Sequence, residues 1–268
     1  MRATKVLVPL AVATALAACS DSTGPAGAKS VSLSFSTAAS SGAVAQRSAF
    51  GPSFNIVTAS GTDTIVITSA QVVFSRIEME QSGVTCTDTA NAGDGHEEDG
   101  CEDMSSAPML VNLPVDSSVV TGATVAIPAG TYKSLHAKMY PISSHESEGA
   151  GTAAFLTAHP DWAGITVKVQ GTFDGKPFTY TGAPHVEIEN EFNPPVNVDS
   201  TGINFTMHAD ISSWFRSSTG ALIDPSTATQ GSTNAEIVAA NIQRSFHAYR
   251  DDNRNGEDDE TEHSGTSH

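Results

Sequence analysis

Apolar and polar residues alternate with a period of two through most of the chain from residue 31 onward. The alternation is clearest in residues 31–36 (VSLSFS) and 165–170 (ITVKVQ), and we also assign residues 72–77 to one strand. Successive side chains of a β-strand point to opposite faces, so the pattern predicts strands with one buried and one solvated face. A helix would instead bring together residues three and four apart, which this pattern does not support.

Turn signals divide the alternating region into short strands. Further strands are predicted at residues 54–58, 64–68, 109–113, 123–127, 132–140, 177–181, 185–192 and 203–211, with turns such as PAG at 128–130 and FDGK at 173–176. The chain shows no Rossmann or phosphate-loop glycine pattern and no useful helical stretch before residue 232. We therefore predict a mainly β fold, an antiparallel β-sandwich of Ig-like or transthyretin-like type, over residues 31–231.

One C-terminal helix is predicted at residues 232–250. Thr233 and Glu236 have the spacing of a capping box at its start. Apolar residues then recur at helical spacing, which predicts an amphipathic helix packed on the sandwich. The stripe consists of Val238, Ile242, Phe246 and Tyr249.

The N-terminus has the pattern of a bacterial lipoprotein signal. Arg2 and Lys5 precede an apolar run too short to span a bilayer, and the run ends in LAAC, which resembles a lipobox. We predict a signal peptide at residues 1–18, lipidation of Cys19 and a flexible tether over residues 19–30. Ser20 after the lipidated residue favours the outer membrane of a Gram-negative cell envelope. The alternative is an ordinary secretory signal with an incidental cysteine.

The other two cysteines, Cys86 and Cys101, are predicted to form a disulfide, because an exported chain meets an oxidising compartment. Closing a loop of about 15 residues contributes about 3 kcal/mol in the chain-entropy model. The alternative is a pair of free thiols. The loop and its flank are also acidic around His96, which gives a second candidate cation site or a solvated surface loop. The acidic residues are Asp88, Asp94, Glu97, Glu98, Asp99, Glu102 and Asp103.

Three short motifs resemble a family of bacterial lipoproteins that carry a domain of unknown function. The motifs are residues 67–74 (ITSAQVVF), 127–132 (IPAGTY) and 209–215 (ADISSWF). The resemblance spans roughly residues 31–225. It implies a β-sandwich similar to transthyretin-like and carboxypeptidase-regulatory-like modules, and it implies no activity and no catalytic residues.

The C-terminal segment, residues 251–268, contains a calcium-type loop. Its residues DDNRNGEDDETE match the spacing D-x-[DN]-x-[DN]-G-x₅-E. This spacing suits Ca²⁺, because the ion needs six to eight oxygen ligands and the loop around it needs a glycine at its sharp bend. Asp258 stands where an EF-hand has an apolar residue, and the chain is too short for an exiting helix. The alternative is a solvated acidic tail. The predicted ligands are Asp251, Asn253, Asn255, Asp259 and Glu262.

A transition-metal site is a further hypothesis from strand periodicity. If strand 185–192 pairs with strand 203–211, Glu187 lies opposite His208 and His185 opposite Asp210. Two imidazoles and two carboxylates suit Zn²⁺ or Cu²⁺. The alternative is an exposed face with cross-strand ion pairs.

Composition limits the remaining function classes. With 13 Lys plus Arg against 30 Asp plus Glu, the net charge of −17 argues against a nucleic-acid partner. The chain has no G-x-S-x-G or H-E-x-x-H motif, which disfavours an enzyme. We therefore predict a lipid-anchored envelope protein with a non-catalytic binding or structural domain, Ca²⁺ at its C-terminal loop and a protein or glycan partner of unknown identity. The alternatives are a periplasmic metal-handling protein and a secreted hydrolase with an unrecognised site.

Overall fold

Hydrogen-bonded strands dominate the computed structural model, which describes residues 28–37, 45–47, 54–57, 63–83, 101–104, 107–116, 118–143, 149–199 and 202–259. In chain order the strands in these ranges are β1 (Lys29–Ser36), β2 (Ala45–Arg47), β3 (Phe54–Val57), β4 (Thr64–Phe74), β5 (Arg76–Gln81), β6 (Cys101–Asp103), β7 (Met109–Leu113), β8 (Val119–Ile127), β9 (Gly130–Met139), β10 (Val167–Phe173), β11 (Lys176–Gly182), β12 (Val186–Val198), β13 (Ile203–Ala209) and β14 (Phe246–Arg250).

The helical elements of the same ranges are short. They are α1 (Gly149–Ala158), α2 (Thr233–Arg244) and the 3₁₀ turns Pro160–Trp162 and Pro225–Thr227. No helix in the described part of the chain is long and apolar enough to cross a membrane.

The strands form three sheets. Sheet A has the order β14-β13-β1-β8, sheet B has the order β11-β10-β4-β3-β2 with β7 also paired to β4, and sheet C has the order β12-β9-β5-β6. Strand pairs in the described ranges are antiparallel except β1 with β13, which are parallel. The prediction of a mainly β, largely antiparallel architecture is confirmed.

Aromatic rings from facing sheets meet in the core. Phe205 of sheet A stacks on Phe192 of sheet C with ring centroids 4.8 Å apart, and Phe35 of sheet A lies 5.5 Å from Phe74 of sheet B. Phe35, Phe74 and Phe205 are fully buried, and burying a side chain of this size contributes about 1.5–3 kcal/mol. Sheet A therefore packs face to face against sheets B and C, as in a sandwich.

The predicted strand at residues 72–77 is interrupted at Ser75. β4 ends at Phe74 in sheet B, and β5 begins at Arg76 in sheet C. Ser75 donates its backbone N–H to the carbonyl of Lys138 over 2.8 Å, which joins the bend to β9. Neither Ser75 nor its neighbours Phe74 and Arg76 is a glycine or proline, so turn signals do not reveal that the chain changes sheets there.

The helix predicted at residues 232–250 is too long. α2 ends at Arg244, and Phe246–Arg250 forms β14, which pairs with β13 along its free edge. The sequence FHAYR also alternates, with Phe246 and Ala248 buried, and here the period of two is correct. The sandwich therefore does not end at residue 231, because β14 belongs to sheet A.

The N-cap of α2 is Ser232 rather than Thr233, since the Ser232 Oγ accepts a hydrogen bond from the backbone N–H of Ala235 over 3.1 Å. The predicted capping box is therefore wrong, because the N3 residue is Ala235, which has no polar side chain to bond back to the N-cap. Val238 and Ile242 of the predicted stripe are fully buried in the main core.

Helix α1 was not expected before residue 232. Its sequence GAGTAAFLTA has no charged residue, and its few polar residues do not separate from the apolar ones at helical spacing, so it has no amphipathic period to detect. Phe155 of α1 packs with Val73, Ile142 and Trp162 in a second, smaller hydrophobic cluster.

Candidate functional site

The segment that follows β14, here called the C-terminal loop (residues 251–259), packs on the outer face of sheet A. β1 directs Val31, Leu33 and Phe35 into the core and directs Ser32, Ser34 and Ser36 to the opposite face. These serines are also buried, although the alternation predicts a solvated face. The Arg254 guanidinium donates to the Ser32 Oγ over 3.2 Å, so part of the cover comes from this loop.

Asp251 fixes the loop to the sheet. Its side chain is fully buried, and its Oδ2 accepts hydrogen bonds from the Thr206 hydroxyl over 2.7 Å and from the Gly256 backbone N–H over 3.0 Å. Its Oδ1 accepts from the Asn255 backbone N–H over 3.0 Å. A buried carboxylate is stable only with donors of this kind, so Asp251 dictates both the loop conformation and its position on β13.

Asn204 extends this network into the sheet. Its Nδ2 donates to the Asp251 carbonyl over 2.8 Å, and its Oδ1 accepts from the Ser34 hydroxyl over 2.8 Å. The backbone N–H of Asp251 donates in turn to the Asn204 carbonyl over 2.9 Å. The polar residues of β1 and β13 therefore satisfy one another and the loop, which accounts for their burial.

Residues 251–256 wrap in the manner that the calcium spacing predicts. The Asn253 Oδ1 and Asn255 Oδ1 accept the backbone N–H groups of Asn255 and Glu257 over 2.9 and 2.8 Å. Arg254 and Gly256 have φ angles of 57° and 84°, so the chain reverses within a few residues at the glycine that the motif requires.

Two further contacts hold the far side of the loop. The Asp259 carboxylate accepts the backbone N–H of Asp252 over 2.8 Å. The Tyr249 hydroxyl donates to the Gly256 carbonyl over 2.6 Å, and burial raises the pKa of Tyr249, which keeps this donor protonated. The loop is therefore closed on itself as well as attached to sheet A.

Four of the five predicted calcium ligands lie in this described loop, and Glu262 lies outside the described residues. A carboxylate oxygen has about two acceptor positions. Asp251 Oδ2 uses two of them for donors and Oδ1 uses one, so Oδ1 retains one acceptor position. The backbone geometry suits a hard cation with oxygen ligands.

The predicted transition-metal site is wrong, because β12 does not pair with β13. β12 pairs with β9, where Glu187 lies opposite Lys138 and accepts a hydrogen bond from the Tyr140 hydroxyl. β13 pairs with β1 and β14, so His208 lies opposite Ser36 and His247. His185 precedes β12 and packs against the Tyr140 ring, and Asp210 accepts from the Ser212 backbone over 3.1 Å.

Across the described part of the chain, no group of three or more His, Cys, Asp or Glu side chains could hold a metal ion. The C-terminal loop does not require such a group, because two of its predicted ligands are asparagines and a calcium loop also uses a backbone carbonyl. Cys86 and the acidic residues 88–99 lie outside the described residues. The disulfide with Cys101 and the second acidic cation site therefore stay predictions.

Pairing of β12 with β9 creates a charged outer face on sheet C that the sequence analysis missed. Polar or charged residues stand at every second position in residues 76–80, 134–138 and 187–191. Once the strand order is known, this shared alternation places them on one face. The cross-strand rows of this face are Arg76–Lys138–Glu187, Glu78–His136–Glu189 and Glu80–Ser134–Glu191.

One cavity of about 400 Å³ on this face is lined by Glu80, Ser134 and His136. The Ser134 Oγ donates to the Glu80 carboxylate over 2.9 Å and lies 2.9 Å from the His136 Nε2, which is itself 3.3 Å from the same carboxylate oxygen. A catalytic triad places the acid on the opposite nitrogen of the imidazole from the serine. Here both partners meet Nε2, so this cluster lacks the geometry that activates a serine.

The two tryptophans do not provide an exposed platform for a sugar ring. Trp214 is fully buried and donates its indole N–H to the Ser245 Oγ over 2.7 Å, and Trp162 is buried in the second cluster. Both side chains therefore support the fold.

Comparison with known proteins adds little to this description. No protein-family model matches the chain, and no curated protein matches it. Among solved structures the chain is similar to MbnP from Methylosinus trichosporium, with 12% identity, a TM-score of 0.41, and coverage of 83% of this chain and 99% of that chain. We draw neither the fold nor the function of this chain from that likeness.

Replacing Thr206 by Val tests the attachment of the loop. The change keeps the side-chain shape but removes the hydroxyl that donates to Asp251, so we expect the free energy of unfolding to fall by about 1–3 kcal/mol in urea titrations. Thr131→Val on the exposed face of β9 is the matched control and should change it by less than about 0.5 kcal/mol. Equal losses in the two variants would contradict the role assigned to Thr206.

The stability of sheet A should depend on pH through His208. Burial lowers the pKa of His208, opposed by Asp210 and reinforced by His247, whereas an unfolded histidine titrates near its ordinary value of about 6.5. As the pH falls through that value the unfolded chain binds the proton more readily, so the free energy of unfolding decreases.

We expect His208→Asn to reduce this loss of stability when urea titrations at about pH 7.5 and about pH 5.5 are compared. His185→Asn is the matched control, since it makes the same change at an exposed histidine outside sheet A. An unchanged pH dependence in His208→Asn would exclude this residue as its source.

Proposed function

We propose that the chain is a lipid-anchored cell-envelope protein whose β-sandwich has a binding role without catalysis and whose C-terminal loop binds Ca²⁺. The observation that carries the calcium part is the buried Asp251 carboxylate, which organises residues 251–256 around itself. In a calcium loop the first residue is an aspartate, the third and fifth supply side-chain oxygens, and the sixth is glycine. Asp251, Asn253, Asn255 and Gly256 occupy those positions.

Ca²⁺ at this loop would act on stability. Asp251 bonds to Thr206 of β13, and Tyr249 of β14 bonds to the Gly256 carbonyl, so the ion would strengthen a segment already attached to two strands of sheet A. Loops of this kind in extracellular modules bind with dissociation constants on the order of 10⁻⁴–10⁻³ M. Such affinity suits a compartment in which calcium is plentiful.

The N-terminal anchor rests on the sequence, because residues 1–27 lie outside the described residues. The lipobox at Cys19 and the small polar residues that follow support a domain tethered to a membrane surface, with Ser20 favouring the outer membrane. The motif resemblance to bacterial lipoproteins supports the same assignment.

Thermal unfolding of the full chain carrying Cys19→Ser, with and without calcium, tests the loop. At about 10 mM CaCl₂, affinities of this order give about 1.4–2.7 kcal/mol of stabilisation, or a rise in Tm of about 3–10 °C over the value in EGTA. Equal concentrations of MgCl₂ should give a smaller shift, because Mg²⁺ dehydrates reluctantly.

Two variants of equal charge separate ligation from electrostatics. Asp251→Asn should abolish the calcium-dependent shift, whereas Glu257→Gln should keep it, because the seventh position of a calcium loop contributes its backbone carbonyl. If Asp251→Asn does not fold, the exposed Asn253→Ala replaces it, with loss of most of the shift expected. A wild-type chain with no shift, or equal shifts in Asp251→Asn and Glu257→Gln, would remove calcium from this proposal.

Expression of the complete chain in a Gram-negative bacterium tests the anchor. The wild type should fractionate with membranes and show a diacylglycerol-modified Cys19 by mass spectrometry, whereas Cys19→Ser should lack the modification and leave the membrane fraction. Membrane association that survives Cys19→Ser without any acyl mass would contradict lipidation at this residue.

A further inference from the structure

A groove of about 620 Å³ runs between β11 and α2. One wall consists of consecutive residues 179–184, at the end of β11 and just beyond it. The other wall consists of residues from the segment 225–231 and of Ala235, Glu236 and Ala239 from α2, and Gly164 and Ile165, which precede β10, complete the lining. The volume lies within the range of about 300–1,000 Å³ that is usual for ligand sites.

The groove follows the backbone edge of β11. Alternate side chains of a strand point to opposite faces, so a cavity over one face would contact every second residue. Thr179, Tyr180, Thr181 and Gly182 all line this groove. β11 is the terminal strand of sheet B in the described order and pairs with β10 alone. The groove therefore runs along the side of β11 that no described strand covers.

The hairpin between β10 and β11 determines which backbone groups face the groove. Phe173 pairs with Lys176 across a two-residue turn, and Asp174 and Gly175 both have positive φ, as in a type I′ turn. The pair that flanks such a turn is hydrogen-bonded, and bonded and non-bonded pairs then alternate along the ladder. Thr179 and Thr181 fall on non-bonded pairs, so their N–H and C=O groups point away from β10.

Pro177 falls on the same alternation. Proline has no N–H, and at this non-bonded position the N–H of any other residue would point away from β10. The hairpin therefore already accommodates a proline at an outward-facing position without loss of a ladder bond.

Tyr180 supplies a polar group at the end of the groove. Its side chain is only 4% exposed, with the ring packed edge-on against Phe215 at 5.3 Å, and within the described part of the chain its hydroxyl has no hydrogen-bond partner. A Cβ on Gly182 would lie 2.3 Å from this hydroxyl, so only glycine leaves it room there. Burial raises the pKa of Tyr180 to about 12, so the hydroxyl stays protonated and can donate.

The opposite wall sets the chemistry of an occupant. Ala235 and Ala239 present small side chains toward the groove, and Glu236 is the acidic residue among the residues that line it. The lining contains no lysine, arginine or histidine, and the chain as a whole carries a net charge of −17. A basic occupant is therefore complementary to this site, and an acidic one is not.

We propose that this groove binds an extended, basic peptide segment of a partner protein, which adds to sheet B as a strand beside β11. The peptide backbone bonds to the outward N–H and C=O groups of Thr179 and Thr181, which is the β-augmentation mode of peptide recognition. A Lys or Arg of the peptide meets Glu236, and the Tyr180 hydroxyl donates to a peptide carbonyl at the end of the groove.

This inference gives a partner class to the binding role of the proposed function and rests on that part of it. The groove shares no residue with the C-terminal loop. A failure of peptide binding would therefore leave the calcium result standing, and a failure of calcium binding would leave the groove.

The test selects random heptapeptides displayed on phage against the full chain carrying Cys19→Ser. We expect enriched sequences that contain Lys or Arg among β-branched residues. The most enriched peptide is then synthesised with a fluorescent label and titrated by fluorescence polarisation. Two further copies are N-methylated at alternate residues, one at the odd and one at the even positions. Only one of the two should lose binding, because only one set of peptide N–H groups faces β11.

Three substitutions localise the binding. Thr181→Pro removes one outward donor and should weaken binding at least tenfold, whereas Thr181→Val keeps the backbone donor and should stay within about twofold of the wild type. Ala239→Trp fills the groove from α2 and should weaken binding to a similar extent without touching β11. Circular dichroism of Thr181→Pro should match the wild type, as the position of Pro177 implies, and Ala239→Trp decides the matter if it does not.

Three results would overturn the proposal. The first is the absence of enrichment over a surface without protein, and the second is binding that neither Thr181→Pro nor Ala239→Trp weakens. The third is a concentration-dependent dimer in analytical ultracentrifugation that Thr181→Pro abolishes, because the edge of β11 would then belong to a second copy of this chain.

Discussion

The buried carboxylate of Asp251 is the interaction on which the outer face of sheet A depends. Removing a charge from water is costly unless donors replace the lost hydration, and Asp251 has three, the Thr206 hydroxyl and the N–H groups of Asn255 and Gly256. Two of those donors belong to the C-terminal loop itself. The loop cannot leave the sheet without exposing this network to water, so the acidic segment that its composition suggests is a tail is instead part of the fold.

This arrangement also explains the serine face of β1. An alternating strand at the centre of a sheet normally exposes its polar face, yet Ser32, Ser34 and Ser36 are buried. Short hydroxyl side chains can be buried there because each has a partner close by, Arg254 for Ser32, Asn204 for Ser34 and His208 for Ser36. Larger apolar residues at these positions would keep the loop from reaching Thr206.

Local patterns predicted the local structure, and non-local pairing lay beyond them. A period of two identifies β1 and β12 as strands, but it does not say that β1 lies parallel to β13 or that β12 pairs with β9. The four described residues of the calcium-type spacing lie in one loop because residues this close along the chain need no long-range strand pairing to meet. The site at His185, Glu187, His208 and Asp210 failed because it required a guess about register. The open edge of β11 was hidden for the same reason, since its exposure depends on which strands the rest of the chain brings to sheet B.

The outermost strands β14 of sheet A and β11 of sheet B have different surroundings. β14 covers the edge of β13 with five residue pairs, and the loop that follows it is the one that carries the calcium-type spacing. A ligand that binds the docked loop therefore also stabilises the pairing of β14 with β13. By linkage, a change that weakens this pairing also lowers the affinity for the ligand. β11 has no such covering strand in the described chain. Pro177, at an outward position near the start of β11, hinders pairing of other chains with this edge only at that end. In the described chain β11 ends sheet B as β14 and β8 end sheet A, and the groove of about 620 Å³ beside β11 is the feature that makes its edge a candidate surface for a partner.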